Sequence, residues 1–164
     1  MELSKEKIKI IKNVVKKSVK RIFENDFILL KNNTHEQDIS HRLAHYMENS
    51  LNNYLWFRQS QLSVDVEYNR DIADTKKINN ENCRPDIIIH ERFTNENNII
   101  AVEIKKDNEN DRDDFNKLRS FTQITQGNQY KYQIGLYLSF STNDKKATYV
   151  YFENGEEKRN GYIM

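Results

Sequence analysis

Two apolar runs decide the fold: RPDIIIH at residues 84–90 and IIAVEIK at residues 99–105. Each run is rich in β-branched side chains and is bounded by polar residues, a pattern that favours a buried strand. The polar stretch TNENN at residues 94–98 separates them and predicts a hairpin connection. Pro85 stands at the entrance of the first run, where a strand tolerates proline. We therefore expect two adjacent antiparallel strands at the centre of a sheet.

Three ionisable residues interrupt these apolar runs: Asp86, Glu103 and Lys105. A charge on a buried strand is costly unless it has a partner of opposite charge or a metal ion. Glu103 and Lys105 are two residues apart, so their side chains leave the same face of the sheet. Asp86 reaches that face if the hairpin pairs the two strands. The alternative is an incidental ion pair between Lys105 and one of the two carboxylates.

Two carboxylates and a lysine at a strand end suit a hard metal ion. Mg²⁺ favours one or two carboxylates together with waters and phosphate oxygens, and Mn²⁺ can substitute for it. We predict that Asp86 and Glu103 bind the metal and that the backbone carbonyl of Ile104 adds a further ligand. Lys105 would then orient the attacking water or lower its pKa together with the metal.

A fourth candidate, Glu36, lies near the start of a predicted helix. Thr34 and Gln37 fit a capping box, and the helix is expected to run to about residue 53. Glu36 stands three residues before Ile39 and seven before Leu43, so it falls within the buried stripe of this helix. It could serve a ligated water or a second ion. The alternative is a carboxylate stabilised by the helix dipole, worth about 0.3–1 kcal/mol.

Pro85-Asp86, followed 17 residues later by Glu103-Ile104-Lys105, resembles the PD-(D/E)XK signature of restriction-endonuclease-like nucleases. Glu36 resembles the acidic residue that this family carries on a preceding helix. Residues 34–152 follow the family's αβββαβ order, and residues 64–70 together with 84–86 resemble a group of small, standalone bacterial members.

This resemblance implies a restriction-endonuclease-like α/β fold and a Mg²⁺-dependent endonuclease that hydrolyses phosphodiester bonds, with DNA favoured over RNA. Glu36, Asp86, Glu103 and Lys105 would be its catalytic residues. Arg84 and Lys117 are candidate substrate contacts, although an ion pair of Lys117 with Asp114 is the simpler interpretation. A homodimer is an attractive partner arrangement because a duplex presents two strands. A catalytically inactive module that keeps the fold and binds nucleic acid or protein is the alternative.

The remaining patterns predict a mixed sheet flanked by helices. Helical spacing is found at residues 3–23 and 111–124, and alternation at residues 62–68 predicts a strand. A polar loop is expected at residues 69–83. Two further strands are predicted at residues 132–140 and 147–152, and a polar tail is expected to follow Asn154-Gly155.

The chain divides by charge. Its net charge is +1, but residues 1–31 carry +5 and the rest carries −4. We predict a basic amphipathic helix with its connector at residues 1–33, and a nuclease-like domain at residues 34–164. Three interpretations of the helix remain open: packing on the body, binding to a phosphate backbone, or binding to a membrane surface. Tyr149 and Tyr151 could stack on bases, although alternating tyrosines in strands are more often part of the sheet core or surface.

Composition narrows the remaining classes. All 164 residues contain no apolar run near the roughly 18–20 residues that a membrane span needs. The lysine-rich N-terminal segment lacks the apolar stretch of a secretory signal, and the single cysteine, Cys83, cannot form an internal disulfide. We therefore expect a cytoplasmic protein without a membrane partner. The small net charge predicts weak, salt-sensitive nonspecific binding to nucleic acid.

Overall fold

The computed structural model describes residues 3–32, 34–68, 70–71, 74–75, 77–78, 81–107, 112–125, 128 and 130–164. It is an α/β protein with a six-stranded mixed, open sheet flanked by helices. The helices are α1 (Lys5–Asn25), α2 (Phe27–Lys31), α3 (Glu36–Leu51), α4 (Leu55–Arg58) and α5 (Arg112–Thr122). No helix within these described residues is long and apolar enough to cross a bilayer.

The strands, in chain order, are β1 (Leu62–Val66), β2 (Arg70–Asp71), β3 (Asp74–Thr75), β4 (Lys77–Ile78), β5 (Glu81–Asn82), β6 (Ile87–Glu91), β7 (Ile100–Lys106), β8 (Ile134–Phe140), β9 (Ala147–Glu153) and β10 (Glu156–Ile163). The large sheet has the strand order β1-β6-β7-β8-β9-β10. Only the β7–β8 pair is parallel among these neighbours, and α5 forms the crossover between those two strands.

The predicted central hairpin is confirmed. β6 and β7 are antiparallel neighbours, with Ile87 opposite Val102 and Ile89 opposite Ile100. The three isoleucines of β6 and residues 100–104 of β7 are buried, as their apolar runs predict. The pairing stops at Ile87, whereas β7 continues to Lys106. β7 therefore extends beyond its neighbour β6 at the end that carries Glu103 and Lys105.

The helices form layers on both faces of the sheet. On one face, α1 and α3 pack against Ile87, Val102 and the other strand residues whose side chains point to that face. On the other face, Leu118 and Phe121 of α5 pack against Ile88 and Ala101. The predicted helix at residues 3–23 is confirmed as α1, whose apolar stripe is buried in the first of these two layers. The boundary after residue 33 stays a prediction.

The predicted capping box at residues 34–37 is wrong. His35 is the N-cap of α3, and it makes no side-chain capping hydrogen bond. The Thr34 hydroxyl instead donates to the carbonyl of Leu29 at 3.0 Å, and the Gln37 amide donates to Glu67 at 2.7 Å. The short helix α2 ends at Lys31, and the Leu29 carbonyl in its last turn accepts from both the hydroxyl and the backbone N–H of Thr34.

The predicted polar tail is also wrong, because residues 156–163 form β10. Asn154 and Gly155 both have positive φ angles, 52° and 75°, and they turn the chain into a two-residue hairpin with β9. Such angles at both central residues are typical of the tight hairpin turn that Asn-Gly favours. β10 escapes a hydropathy pattern because it is a polar edge strand, with residues 156–160 exposed.

Two smaller differences concern segment ends. The predicted loop 69–83 contains two short ladders, Arg70–Asp71 with Asp74–Thr75 and Lys77–Ile78 with Glu81–Asn82. The predicted start of α5 at Asp111 lies outside the described residues.

Candidate active site

The candidate site forms where β7 extends past β6. The register that pairs Ile87 with Val102 would place Pro85 opposite Ile104 if it continued by two residues. Proline has no N–H, so it cannot donate a ladder hydrogen bond to the Ile104 carbonyl. The Ile104 N–H is satisfied in another way, since it donates to Oδ2 of Asp86 at 2.6 Å. The N–H and C=O of one strand residue point to the same side, so the Ile104 carbonyl is directed towards Asp86.

Glu36 satisfies the next backbone group along the same strand edge. Its Oε1 accepts from the Lys106 N–H at 3.2 Å, which places the first residue of α3 against β7. The Lys106 ammonium group donates to the carbonyl of Thr34 and ties the same helix start to the strand. Glu36 is therefore held at the site by tertiary contacts with β7.

Glu103 is the most buried of the predicted carboxylates, with 3% of the residue exposed. Its Oε2 lies 3.9 Å from the Nζ of Lys117, and its buried Oε1 accepts no hydrogen bond from any described residue. A buried carboxylate oxygen without a donor is rare in native proteins and calls for an explanation such as an ion or a water.

Lys105 and Lys117 bring α5 into the site. The Nζ of Lys105 lies 3.3 Å from Oδ2 of Asp114 and 3.6 Å from Oε2 of Glu36. The Nζ of Lys117 donates to Oδ1 of Asp114 at 2.6 Å. Lys117 thus forms ion pairs with two buried carboxylates. One of them is the predicted pair with Asp114. We call the six side chains the carboxylate cluster: Glu36, Asp86, Glu103, Lys105, Asp114 and Lys117.

Asp114 is a member that the sequence interpretation did not place in the site. It is buried, with 2% of the residue exposed. A signal was available, since Asp114 stands four residues before Leu118 and seven before Phe121, both of which are buried. The spacing that placed Glu36 on an inward stripe applies equally to Asp114.

The electrostatics of the cluster are dominated by burial. Burial raises the pKa of Asp86 to about 6, with a further rise from Asp114 and Glu36, although the Ile104 N–H and Lys105 oppose it. Burial also raises the pKa of Glu103 well above its usual value, and Asp86 adds to this rise. Burial lowers the pKa of Lys117, but Glu103 and Asp114 outweigh burial and raise it overall.

Four carboxylates in this cluster face two ammonium groups. The cluster therefore carries a formal excess of two negative charges when every group is ionised. Protons can neutralise this excess, and the raised pKa values of Asp86 and Glu103 reflect that. A divalent cation can neutralise it as well.

The residues present fit a magnesium ion with one condition. Across the described ranges, no three His, Cys, Asp or Glu side chains converge closely enough to hold an ion by themselves. Asp86 and Glu103 would supply two ligands, and the Ile104 carbonyl and waters would have to complete the shell, as Mg²⁺ allows. The orphaned Oε1 of Glu103 is the observation that supports this fit.

Arg84, the other candidate substrate contact, lies at the rim. Its guanidinium group is 3.2 Å from Oε1 of Glu67, and half of its side chain is exposed. Glu67 follows the last residue of β1 and has a positive φ of 51°, and its N–H donates to the carbonyl of Asp86. Arg84 is therefore close to the site along the backbone and can be reached from solvent.

A second charged group lies on β1 and the end of β6, and the sequence interpretation missed it. The guanidinium of Arg92 donates twice to Asp65, at 2.8 and 2.5 Å, and Nε2 of the buried His90 lies 3.0 Å from Oδ2 of Asp65. Burial raises the pKa of Asp65, but hydrogen bonds from Arg92 and His90 outweigh burial and hold it well below the usual range. This group is internally satisfied, unlike the carboxylate cluster.

Comparison with known proteins adds no identity to these observations: no family model, no curated protein and no solved structure matches this chain.

Proposed function

We propose that this protein is a metal-dependent nuclease that hydrolyses phosphodiester bonds, with DNA as the favoured substrate. The observation that carries the proposal is the buried Glu103 with an oxygen that accepts no hydrogen bond from the described residues, next to Asp86 at the strand edge that Pro85 leaves open. The order of elements from α3 to β9 and the PD-(D/E)XK-like residues at this edge support a restriction-endonuclease-like core.

Hydrolysis requires a water oxygen to attack phosphorus while the bond from phosphorus to one ester oxygen breaks. A bound Mg²⁺ would stabilise the charge that develops on the phosphate and make water a better nucleophile. Asp86, Glu103 and the Ile104 carbonyl would hold the ion. Mn²⁺ is expected to replace it.

Lys105 would position the attacking water. Its ammonium group is already held between Asp114 and Glu36 at 3.3 and 3.6 Å, so its location is constrained before any substrate arrives. Glu36 would accept a hydrogen bond from a water near the ion, or serve a second ion. Arg84 is proposed as a contact to the substrate backbone, and a homodimer would let two such sites cut both strands of a duplex.

The alternative is a catalytically inactive module that binds nucleic acid or protein. The observation that favours it is the engagement of both cluster lysines by carboxylates, which could serve to stabilise the fold alone. Cleavage assays separate the two functions.

The test is cleavage of plasmid DNA, linear duplex, single-stranded DNA and RNA with Mg²⁺, Mn²⁺ or EDTA. We expect cutting that requires a metal and that falls by about 10³-fold or more in Lys105→Ala and Asp86→Ala. Matched controls are Lys158→Ala and Asp144→Ala, which remove the same charges from exposed positions and should retain activity. No cutting with either metal, together with no calorimetric metal binding that depends on Asp86, would reject the nuclease in favour of the binding module.

A further inference from the structure

A groove on the opposite face of the sheet is lined by cations. It has a volume of about 290 Å³ and lies between α1 and the strands β9 and β10. We call it the basic groove, and its cations are Lys5, Lys9, Lys12, Lys16 and Arg159. No aspartate or glutamate is among the described residues that line it.

The four lysines form a row along one side of α1. They follow one another at steps of four, three and four residues, so each turn of the helix contributes one ammonium group. At 1.5 Å per residue the row is about 17 Å long. Arg159 of β10 lies across the groove from this row. The arrangement is a line of positive charge facing a further cation.

Two tyrosines, Tyr149 and Tyr151, form the floor of the basic groove and contact two of its lysines. The Nζ of Lys12 lies 4.8 Å from the ring centre of Tyr151, and that of Lys16 lies 5.5 Å from the ring centre of Tyr149. Both rings are nearly fully buried, at 3% and 4% exposure, so they are unsuited to stacking on bases. Each instead places an ammonium group by a cation–π contact.

Gly161 makes room for this floor. It pairs with Tyr149 across β9 and β10, and a Cβ at this position would stand 2.9 Å from the Tyr149 hydroxyl oxygen. The Tyr149 ring covers Gly161 of the edge strand, and such a pairing of an aromatic residue with a glycine helps to fix the register of the strand. The groove is thus a packed feature of the fold.

The structure argues against a membrane as the partner of α1. An amphipathic helix binds a bilayer through its apolar face. In α1 that face is already used, because Ile11, Val15 and Val19 are fully buried in the core. What remains for a partner is the row of charges. A phosphodiester backbone carries regularly spaced negative charges along a line, which matches this row.

We propose that the basic groove binds the phosphodiester backbone of a nucleic acid strand without reading its sequence. The groove lies on the α1 face of the sheet, whereas Glu103 and Lys105 face α5, so it is a site separate from the carboxylate cluster. Glu153 offsets one of its charges through a 2.8 Å ion pair with Lys12, which limits the number of phosphate contacts. The inference goes beyond the proposed hydrolysis and does not depend on it, because the groove needs no metal.

Fluorescence anisotropy in EDTA tests this proposal with labelled single-stranded and duplex oligonucleotides over a series of salt concentrations. The variant Lys9→Gln/Lys16→Gln removes two charges from the row. The matched control, Lys17→Gln/Lys31→Gln, removes two charges from exposed helix positions that do not line the groove. Circular dichroism melting curves verify that both variants remain folded.

We expect salt-sensitive binding that weakens about tenfold in the groove variant at low salt and less than twofold in the control. Because each lost phosphate contact removes about 0.7–0.9 from the slope of log K against log salt, the slope of the groove variant should fall by roughly 1.4–1.8. Equal losses in the two variants, or no binding at low salt, would overturn the proposal. Equal affinity for polyglutamate or for anionic vesicles would overturn the assignment to nucleic acid. Since EDTA prevents metal-dependent cutting, these outcomes are independent of the cleavage assay.

Discussion

The carboxylate cluster and the basic groove lie on the two faces of one sheet, and their charged groups differ in exposure to solvent. In the cluster, Glu103 and Asp114 are almost fully buried and share Lys117 as an ion-pair partner. In the groove, the paired Lys12 and Glu153 side chains keep 29% and 41% of their surface exposed. Water therefore screens the carboxylate of the Lys12–Glu153 pair, whereas the carboxylates of Glu103 and Asp114 are shielded from it. Changes in the cluster should therefore alter stability and proton binding, whereas changes in the groove should alter only salt-dependent binding.

The largest effect that separates the two regions is expected for Lys117→Met. Removing this ammonium group leaves Glu103 and Asp114 with less compensation in a buried setting, which is strongly destabilising. Because 39% of the Lys117 side chain is exposed and water can partly replace it, we expect a loss of about 2 kcal/mol. For a chain of this size that corresponds to a fall in melting temperature of about 4–8 °C. Urea unfolding at pH 8 measures the change.

Lys12→Met is the matched control in the groove, since it also removes a lysine that pairs with a glutamate. A solvent-accessible pair of this kind contributes about 0.2–1 kcal/mol. A double variant, Lys117→Met with Glu103→Gln, should recover part of the lost stability. Similar losses for Lys117→Met and Lys12→Met would show that burial does not distinguish the two regions.

A change of intermediate size concerns the pH dependence of metal binding. A carboxylate must be ionised to bind a metal ion, and burial raises the pKa of Asp86 to about 6. At about pH 5 only about a tenth of Asp86 is ionised, so Mn²⁺ affinity should be at least about tenfold weaker than at about pH 7.5. Glu103, the other proposed ligand, also has a raised pKa and adds to this decrease. Isothermal titration calorimetry at both pH values measures the ratio.

Asp86→Asn provides the control for this titration, because it removes the group that gains the proton. Metal binding should largely disappear, and any remainder should lose the part of its pH dependence that Asp86 contributes. Mn²⁺ affinity that is equal at the two pH values in the unmodified protein would contradict the role of Asp86. Binding of nucleic acid to the groove in EDTA should not follow this pH profile.

The smallest effect expected is a gain in stability from Glu103→Gln. Burial raises the pKa of Glu103, so the folded state binds a proton more tightly than the unfolded state does. Its favourable contribution is therefore complete at low pH and is lost as the pH rises towards the folded pKa. The amide removes that loss, and we expect about 1 kcal/mol of added stability at pH 8, a smaller gain at pH 5 and almost none at about pH 3.5.

Thermal melts at the three pH values measure this gain, and Glu157→Gln on the exposed edge strand is the control. The control should change stability by less than about 0.5 kcal/mol at each pH. Cleavage by Glu103→Gln should be lost although the protein is more stable. A destabilised Glu103→Gln protein would mean that Glu103 serves the fold through its pair with Lys117.

Sequence patterns succeeded where burial covers both faces of an element. The runs at residues 84–90 and 99–105 were read as strands because a central strand must be apolar on both sides, and both are confirmed. Alternation also located β1, and helical spacing located α1, α3 and α5. Residues 156–160 show no such pattern, because their side chains are exposed on both faces of the strand. In that segment the sequence signal for a strand is the Asn154-Gly155 turn, which is typical of a β-hairpin, and not the hydropathy pattern.

Much of the cluster followed from spacing alone. Glu103 and Lys105 share a face because they are two residues apart on a strand, and Glu36 reaches the site from the inward stripe of α3. The burial of Asp114 was detectable by the same rule. The contacts of Asp65 with His90 and Arg92 were not, since they join adjacent strands at a register that no single segment specifies. The metal and the substrate remain predictions.

The proline at the entrance of β6 leaves the ladder between β6 and β7 incomplete at Ile104. Any other residue at position 85 would bring an N–H, and the ladder between β6 and β7 could then close by one more rung at Ile104. The sheet would be more regular, but the Ile104 carbonyl would then accept a hydrogen bond within the ladder and could not bind a ligand. Because this rung is missing, the Ile104 carbonyl stays at an open edge of the sheet, where it is available to the proposed metal ion.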